Sequence, residues 1–297
     1  MKKSFNKQSL IYTLLAVFFW STVATAFKLT LAGMNYVQLL FYASLTSTIV
    51  LFLIISLSNQ ASFITVFTKN SIKKSLLLGL LNPFLYYMIL FKAYSLLPAQ
   101  EAQPLNYTWP ITISILSVLV LKQKITSTSI IGLLSAFIGV VIIATRGDFT
   151  SLQFDNALGV SLALGSSIVW AFFWIMNLLD QRNNAEKLFG VFFLGTIYSA
   201  IYIFYFDSFN LGNLNYLFGA GYIGIFEMGI TFFLWNKGLE LSTDRIKTST
   251  LAYLSPFLSL IFIAFILEET IRASSVIGLF FIIGGILYQN LKLKKGE

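Results

Sequence analysis

The sequence predicts an all-α, polytopic membrane protein with ten transmembrane helices arranged as two inverted five-helix repeats. Hydrophobic residues make up 57% of the 297 residues and charged residues only 11%, whereas about a quarter of a soluble domain is charged. Apolar runs of about twenty residues, separated by short polar breaks, recur from end to end, which is typical of a polytopic helical protein. A soluble fold is excluded because such a chain could not cover its core with polar surface.

Each predicted helix is an apolar run long enough to cross the hydrocarbon layer. Turn residues such as Gly33-Met34-Asn35 separate the runs, and the short connections favour antiparallel neighbours. The longest break, residues 58–74, is expected to hold an interfacial helix. The first run is too long for a signal peptide and is predicted to be retained. The ten predicted spans are 10–31, 36–57, 75–96, 99–121, 127–145, 157–179, 188–206, 216–238, 246–267 and 273–291.

Charge predicts the orientation of these spans. If the N-terminus is cytoplasmic, only four of the 20 Lys and Arg residues fall outside: Lys28, Lys92, Arg146 and Arg272. Because cytoplasmic loops of membrane proteins are enriched in Lys and Arg, we expect a bacterial inner (cell) membrane protein with both termini inside. Lys28 and Lys92, near the outer ends of the first and third spans, are predicted to snorkel to the surface. The alternative is a role in gating or in binding a carboxylate.

The second half of the chain repeats the first at a constant shift of 146 residues. Five spans per half is an odd number, so the second copy should be inverted in the membrane. The loop charges agree, since basic Lys122-Gln123-Lys124 is predicted inside and its counterpart Glu268-Glu269-Thr270 outside. Many secondary transporters have this plan, with the site at the repeat interface. We therefore predict repeats at 1–146 and 157–295, supported by the aligned pairs Tyr107 with Tyr253, Pro110 with Pro256, Gly132 with Gly278 and Gly139 with Gly285.

Composition excludes several classes of function. The chain has no cysteine and no histidine, which excludes disulfides, thiol nucleophiles, the usual zinc sites and imidazole relays. It also lacks a Gly-rich phosphate loop ending in Lys-Ser/Thr. The net charge of +8 lies at the ends of apolar runs and does not indicate nucleic acid. We expect no cofactor, no metal and no enzymatic activity, but a small-molecule substrate, the lipid bilayer and a monomer or weak dimer.

The fourth span, which contains "LNYTWPITISIL", has polar residues on one face. Gln103, Tyr107 and Pro110 are spaced by four and three residues, with Asn106 and Trp109 beside them. A polar stripe on a spanning helix should face the bundle interior or a wet cavity. This face is therefore predicted to line a cavity.

Prolines in the fourth and ninth spans are candidate hinges. Pro110 should kink its helix and leave a carbonyl without its helical donor, and Tyr253 and Pro256 repeat the pattern in the ninth span. The functional hypothesis is that both prolines flex during transport. The alternative is that membrane helices simply tolerate them.

Tryptophans lie in the middle of their spans, away from the interfacial belt where Trp is usual. Trp20, Trp109 and Trp170 are candidates for cavity walls, because indole rings suit an aromatic or cationic ligand. The alternative is that they fill gaps between helices.

Glu227 is the strongest candidate for a functional residue, because it lies roughly 16 Å into the eighth span, near the bilayer midplane. An acid at that depth is costly unless paired or protonated, and is a functional candidate by default. It could couple transport to protons, bind a substrate amino group, or only bond a neighbouring helix. The Asn82-Pro83 break in the third span lies at similar depth, with Tyr86 following it.

Three motifs resemble a known family: "FFWSTVATAFK" in the first span, "NYTWP" in the fourth and "TFFLWNKGLEL" in the eighth. They are similar to the EamA-type branch of the drug/metabolite transporter superfamily, and "WST" with "NYTWP" resembles the bacterial aromatic amino-acid exporters. The resemblance implies a central cavity that opens alternately to each side.

The expected function is a secondary transporter, an exporter of a small metabolite such as an amino acid. A multidrug or organic-cation efflux carrier is the alternative within the same fold. A gated channel or an intramembrane enzyme is the alternative of another class, although the chain shows no His–Ser pair, and one acid among aromatic walls fits a carrier better than a continuous pore.

Overall fold

A computed structural model describes residues 6–57, 63–121, 127–148, 156–209, 213–242, 248 and 250–293, and all regular structure in these ranges is helical. The helices are α1 Lys7–Leu31, α2 Tyr36–Ser56, α3 Phe63–Val66, α4 Lys69–Leu96, α5 Ala99–Asn106, α6 Trp109–Leu121, α7 Ser127–Ala144, α8 Ala157–Leu179, α9 Asn184–Phe206, α10 Leu214–Glu240, α11 Leu254–Ile266 and α12 Ala273–Leu293.

Six of these helices are long and apolar enough to cross a membrane: α1, α2, α4, α8, α9 and α10. Shorter apolar helices lie in α7, α11 and α12. The chain is therefore a multi-pass membrane protein, as predicted. In the predicted interfacial break, the four-residue α3 and the first turn of α4 are the described helical segments.

The fourth predicted span is interrupted rather than kinked. α5 ends at Asn106 and α6 begins at Trp109, so Pro110 lies in the first turn of α6. The ninth span is similar, because a 3₁₀ turn, Thr250–Tyr253, precedes α11 and places Pro256 in its first turn. The N–H groups of a first helical turn have no intrahelical acceptor, so a proline, which lacks an N–H, is tolerated there. This explains why both helices restart just before their prolines.

Two long helices each contain a π-helical turn near the middle. In α4 the turn is Leu80–Leu85, where Asn82 is extended (φ −145°, ψ 124°), as a residue before proline prefers. In α10 the turn is Gly224–Gly229. A π turn leaves the ordinary hydrogen-bond ladder of the helix and often marks a functional position.

Helices α7 and α12 pack backbone to backbone. A Cβ atom added to Gly139 would lie 2.5 Å from the carbonyl oxygen of Gly278, and one added to Gly285 would lie 2.6 Å from that of Gly132. The residue numbers run in opposite directions, so the two helices are antiparallel. Glycine permits this approach, as small residues commonly do between membrane helices.

Candidate functional site

A cavity of about 70 Å³ lies inside the bundle. Its walls come from α1, α4, α5, α6, α8, α10 and the 3₁₀ turn before α11. Seven of the eight residues predicted for the site line it together: Trp20, Tyr86, Asn106, Tyr107, Trp109, Trp170 and Glu227. The structure therefore brings together residues that the sequence placed on different helices.

All five tryptophans of the chain line this one cavity. Trp174 and Trp235 join the three that were predicted. The ring centroids of Trp20 and Trp235 are 5.1 Å apart, and those of Trp170 and Trp174 are 6.0 Å apart at 83°. These are favourable aromatic spacings. The concentration of indoles inside the bundle, away from the membrane interfaces where Trp is usually enriched, marks this cavity as the candidate site.

Glu227 lies in the π turn of α10 with only 8% of its surface exposed. The Tyr87 hydroxyl donates to one carboxylate oxygen, Oε1, at 2.9 Å. The other oxygen, Oε2, is buried and has no hydrogen-bond partner among the described residues. A buried polar atom without a partner is costly. The site therefore offers one carboxylate oxygen to a ligand or to a proton.

A chain of hydrogen bonds fixes the wall beside Glu227. The Tyr86 hydroxyl donates to Asn106 Oδ1 at 3.2 Å, and Asn106 Nδ2 donates to Ser166 Oγ at 2.9 Å. The Tyr86 ring also lies 4.4 Å from the Trp170 ring, at 31°. These contacts join α4, α5 and α8, so the aromatic wall is held in position from three helices.

Tyr253 is the predicted site residue that lies outside the cavity lining. It ends the 3₁₀ turn before α11 and packs against the hydrophobic core, while its neighbour Ala252 lines the cavity. The prediction assumed an α-helical period through this segment. A 3₁₀ turn has three residues per turn, so it rotates the side chains into a different register.

Several cavity residues were missed although a signal for them was present. Tyr86, Leu90 and Tyr94 recur at intervals of four on α4, and Val23 and Phe27 follow Trp20 at helical spacing on α1. Residues at such intervals share a helix face. Following the helical spacing onward from Tyr86 and from Trp20 would have identified these residues.

The cavity lining carries one charged residue, Glu227, and no Lys or Arg among the described residues. The described residues also contain no group of three or more Asp, Glu, His or Cys that could hold a metal ion. The electrostatic character of this site is therefore that of a single carboxylate in an aromatic cage.

A model of the EamA-like transporter family matches residues 7–145 and again residues 157–291. The chain belongs to this family. The resemblance found in the motifs is thereby confirmed.

Related proteins are named as transporters. An uncharacterized transporter of Acidianus ambivalens is 34% identical over 57% of this chain and 66% of its own length. An uncharacterized transporter of Archaeoglobus fulgidus is 24% identical over 92% of this chain and 95% of its own length. An aromatic amino acid exporter, YddG, of Ancylobacter novellus is 23% identical over 61% of this chain and 63% of its own length. These relatives point to a transporter rather than an enzyme.

A solved crystal structure shares the fold. It covers 98% of this chain and 99% of its own, with a TM-score of 0.70 at 19% identity. The fold of this EamA-like chain is thus one that experiment has already described.

Proposed function

We propose that this EamA-like chain is a secondary transporter that moves a small organic amine, such as an amino acid, across the cell membrane by alternating access. The observation that carries the proposal is the convergence of all five tryptophans and one half-satisfied carboxylate on a single cavity. Aromatic faces bind cations and flat rings. A carboxylate with one open oxygen adds a partner for an ammonium group.

The charge of the cavity favours some substrates over others. Glu227 attracts a cation, and no basic residue lines the described cavity to hold a strong anion. The carboxylate of an amino acid would need a neutral donor, and Trp174 Nε1 is buried without a partner. The naming of the YddG relative as an aromatic amino acid exporter agrees with this reading. An organic-cation efflux carrier is the second candidate, favoured by the same acid and aromatic walls.

Two inverted repeats, with ten spans and both termini cytoplasmic, are the architecture that we propose for this carrier. The family model matches twice, in ranges close to the predicted repeats. The π turns of α4 and α10 and the chain breaks before Pro110 and Pro256 also recur in both halves. A symmetry of this kind lets one half rock against the other around a fixed site.

The cavity must widen to accept such a substrate, because 70 Å³ holds only a few water molecules. We propose that the interrupted segments beside Pro110 and Pro256 supply this motion as hinges. Protonation of Glu227 in exchange for the substrate amine would couple transport to protons. The same carboxylate oxygen serves both roles, so the two ligands would exclude each other.

Counterflow in proteoliposomes tests the proposal. Purified protein is reconstituted, loaded with unlabelled tryptophan, and assayed for uptake of labelled tryptophan, with an aromatic amine, a quaternary aromatic cation and an aromatic carboxylate without an amine as alternatives. We expect saturable counterflow of an amine-bearing compound and none of the carboxylate. Flux without counterflow would indicate a channel, product formation without flux would indicate an enzyme, and transport of the carboxylate alone would contradict the proposed role of Glu227.

A further inference from the structure

The two halves of the chain are joined at one end by a cluster of polar side chains. This end holds the α4–α5 and α11–α12 connections, and the charge bias predicts that it faces outward. The cluster, here called the outer latch, consists of Gln100, Glu101, Arg146, Glu269 and Arg272. In it, residues from the start of α5 bond residues about 170 positions later in the chain.

Glu269 caps the start of α5. Its carboxylate accepts hydrogen bonds from the backbone N–H groups of Ala99 and Gln100, at 3.0 and 3.4 Å, and from the Gln100 side chain at 3.2 Å. A carboxylate at this position satisfies helix N–H groups that have no intrahelical partner, and it also interacts favourably with the helix dipole. A residue of the second half thus completes a helix of the first half.

Gln100 and Glu101, at the start of α5, also bind residues near the start of α12. Gln100 Oε1 accepts from the Arg272 backbone N–H at 2.8 Å and from Ser275 Oγ at 3.2 Å. The Glu101 side chain, only 4% exposed, pairs with Arg146 at 2.9 Å and with Arg272. Buried, charge-assisted bonds of this kind are costly to break one partner at a time.

The cavity is closed beneath this latch. Phe27, Leu90 and Tyr94, the wall residues nearest to it, are each 2% exposed. Lys28 Nζ, which was predicted to snorkel, instead donates to the carbonyl oxygens of Tyr94 and Leu97, both at 3.0 Å. Trp109 and Trp174, which lie further from the latch, are only half-buried. The described cavity is therefore sealed at its outer end.

Backbone strain is located beside the latch. Arg146 and Glu268 have positive φ angles of 53° and 55°, and they are the non-glycine residues with positive φ in the described part of the chain. Residues in this region are uncommon and cluster at switch and gating segments. Arg146 is itself a latch residue just beyond the end of α7, and Glu268 directly precedes the latch residue Glu269.

The opposite end of the chain carries different chemistry at the matching positions. At the shift of 146 residues, Glu101 corresponds to Lys247 and Glu269 to Gln123. Lys122 and Lys124 flank Gln123, and Asp244 and Arg245 lie shortly before Lys247. The side chains of these inner residues lie outside the described part of the chain. In the described part of this end, Lys74 pairs with Asp180 across the halves at 3.5 Å, and Arg182 donates to Ser71 O and Ser75 Oγ. The positions that match the latch instead carry an excess of positive charge, and like charges repel.

We propose that the outer latch keeps the empty carrier closed to the outside, so that its resting state opens toward the cytoplasm and loads substrate there. The inference rests on the proposed transport function and orientation. It assigns Glu101 and Glu269 as gating residues that act on access to the site without touching the substrate. Opening outward requires breaking the cross-half bonds of the latch, whereas the inner positions that match the latch in sequence carry mostly like charges.

Single-cysteine labelling tests this inference, because the chain has no native cysteine. Leu90→Cys reports on the outer wall of the cavity and Ala252→Cys on its other side. We expect a membrane-impermeant maleimide, added outside intact cells, to label Leu90→Cys slowly. Adding Glu269→Gln or Glu101→Gln should raise that rate by about tenfold, since Glu269 loses the charge that strengthens its bonds to α5 and Glu101 loses a buried ionic contact. In inverted vesicles, Ala252→Cys should label readily and more slowly once the latch is broken.

Glu268→Gln is the matched control, because Glu268 is exposed and adjacent to Glu269. It should leave both labelling rates unchanged. Equal labelling of Leu90→Cys from outside with and without the latch substitutions overturns the inference, and so does failure of Ala252→Cys to react from the inner side. Gel filtration shows whether the Glu101→Gln protein, altered at a buried position, is still folded. If it is not, the test uses Glu269→Gln alone, because Glu269 is only half-buried.

The labelling assay requires no substrate. Loss of counterflow with the expected labelling would therefore contradict only the transport proposal. Intact counterflow with unchanged labelling would contradict only the latch.

Discussion

The π turns of α4 and α10 interrupt their helices at similar places but differ in backbone geometry and in content, since only the α4 turn contains an extended residue, Asn82. The α4 turn contains Asn82, which is fully buried, is absent from the cavity lining, and has no partner for either amide atom among the described residues. The α10 turn contains Glu227, which faces the cavity. The comparison shows that an interrupted turn in the middle of a helix can hold an ionisable residue in one half of the chain and none in the other.

The packing around the two turns is more alike than their chemistry. A Cβ atom on Gly79, just before the α4 turn, would lie 2.6 Å from the Val191 carbonyl oxygen on α9. One on Gly224, at the start of the α10 turn, would lie 2.4 Å from the Ala43 carbonyl oxygen on α2. Each turn thus presses its backbone against a helix of the opposite half. Shape is shared between the halves, and the ionisable group is not.

The largest expected effect comes from removing the charge. Glu227→Gln should weaken binding of an amine substrate by about a hundredfold, since loss of one partner of a desolvated charge pair costs about 2–5 kcal/mol. The substitution preserves size and the bond from Tyr87. Equilibrium binding to purified protein measures the effect, with Glu240→Gln, exposed at the end of the same helix, as the control. Equal affinity in the native and Glu227→Gln proteins would remove the carboxylate from the site.

The next effect tests whether both turns depend on close packing. Gly224→Ala and Gly79→Ala should each destabilise the protein by about 1–3 kcal/mol, because a methyl group forces backbone atoms apart. Thermal unfolding in detergent measures the loss. Gly221→Ala is the control, since nothing lies within 4 Å of its added Cβ. A similar melting temperature for all three variants would show that the contacts are not tight in the native protein.

The smallest effect is expected at the uncharged turn. Asn82→Leu should leave substrate affinity within about threefold of native, because replacing a buried amide that lacks partners by an apolar group of similar size is nearly neutral. Counterflow and thermal unfolding are compared on the same sample. A loss as large as that of Glu227→Gln, at an unchanged melting temperature, would mean that the first half also contributes a polar group to transport.

Local periodicity predicted the features that lie along one helix. Trp20, Asn106 and Glu227 were recognisable because polar or aromatic residues in an apolar run stand out, and because i, i+3 and i+4 spacing gives a common face. The prediction of a multi-pass membrane protein likewise required no knowledge of packing, because it rests on successive apolar runs in the sequence.

Features that depend on distant parts of the chain were not predictable. Asn82-Pro83 indicated the break in α4, but the π turn of α10 was not predictable, because no pattern in "GIFEMG" separates a π from an α turn. The displacement of Tyr253 has a related cause, a local change in helix type. The bond between Glu269 and Ala99 links residues 170 positions apart, and the sequence indicated only that both lie in outer loops.

The glycine seam between α7 and α12 resembles an interface between subunits. Gly139 meets Gly278 in the way that Gly285 meets Gly132, and Ser135 Oγ donates to the Phe281 carbonyl oxygen at the same seam. A contact in which each side presents the same residues is the form adopted by two identical subunits about a twofold axis. The seam therefore has, within one polypeptide, the form of a contact between two identical subunits.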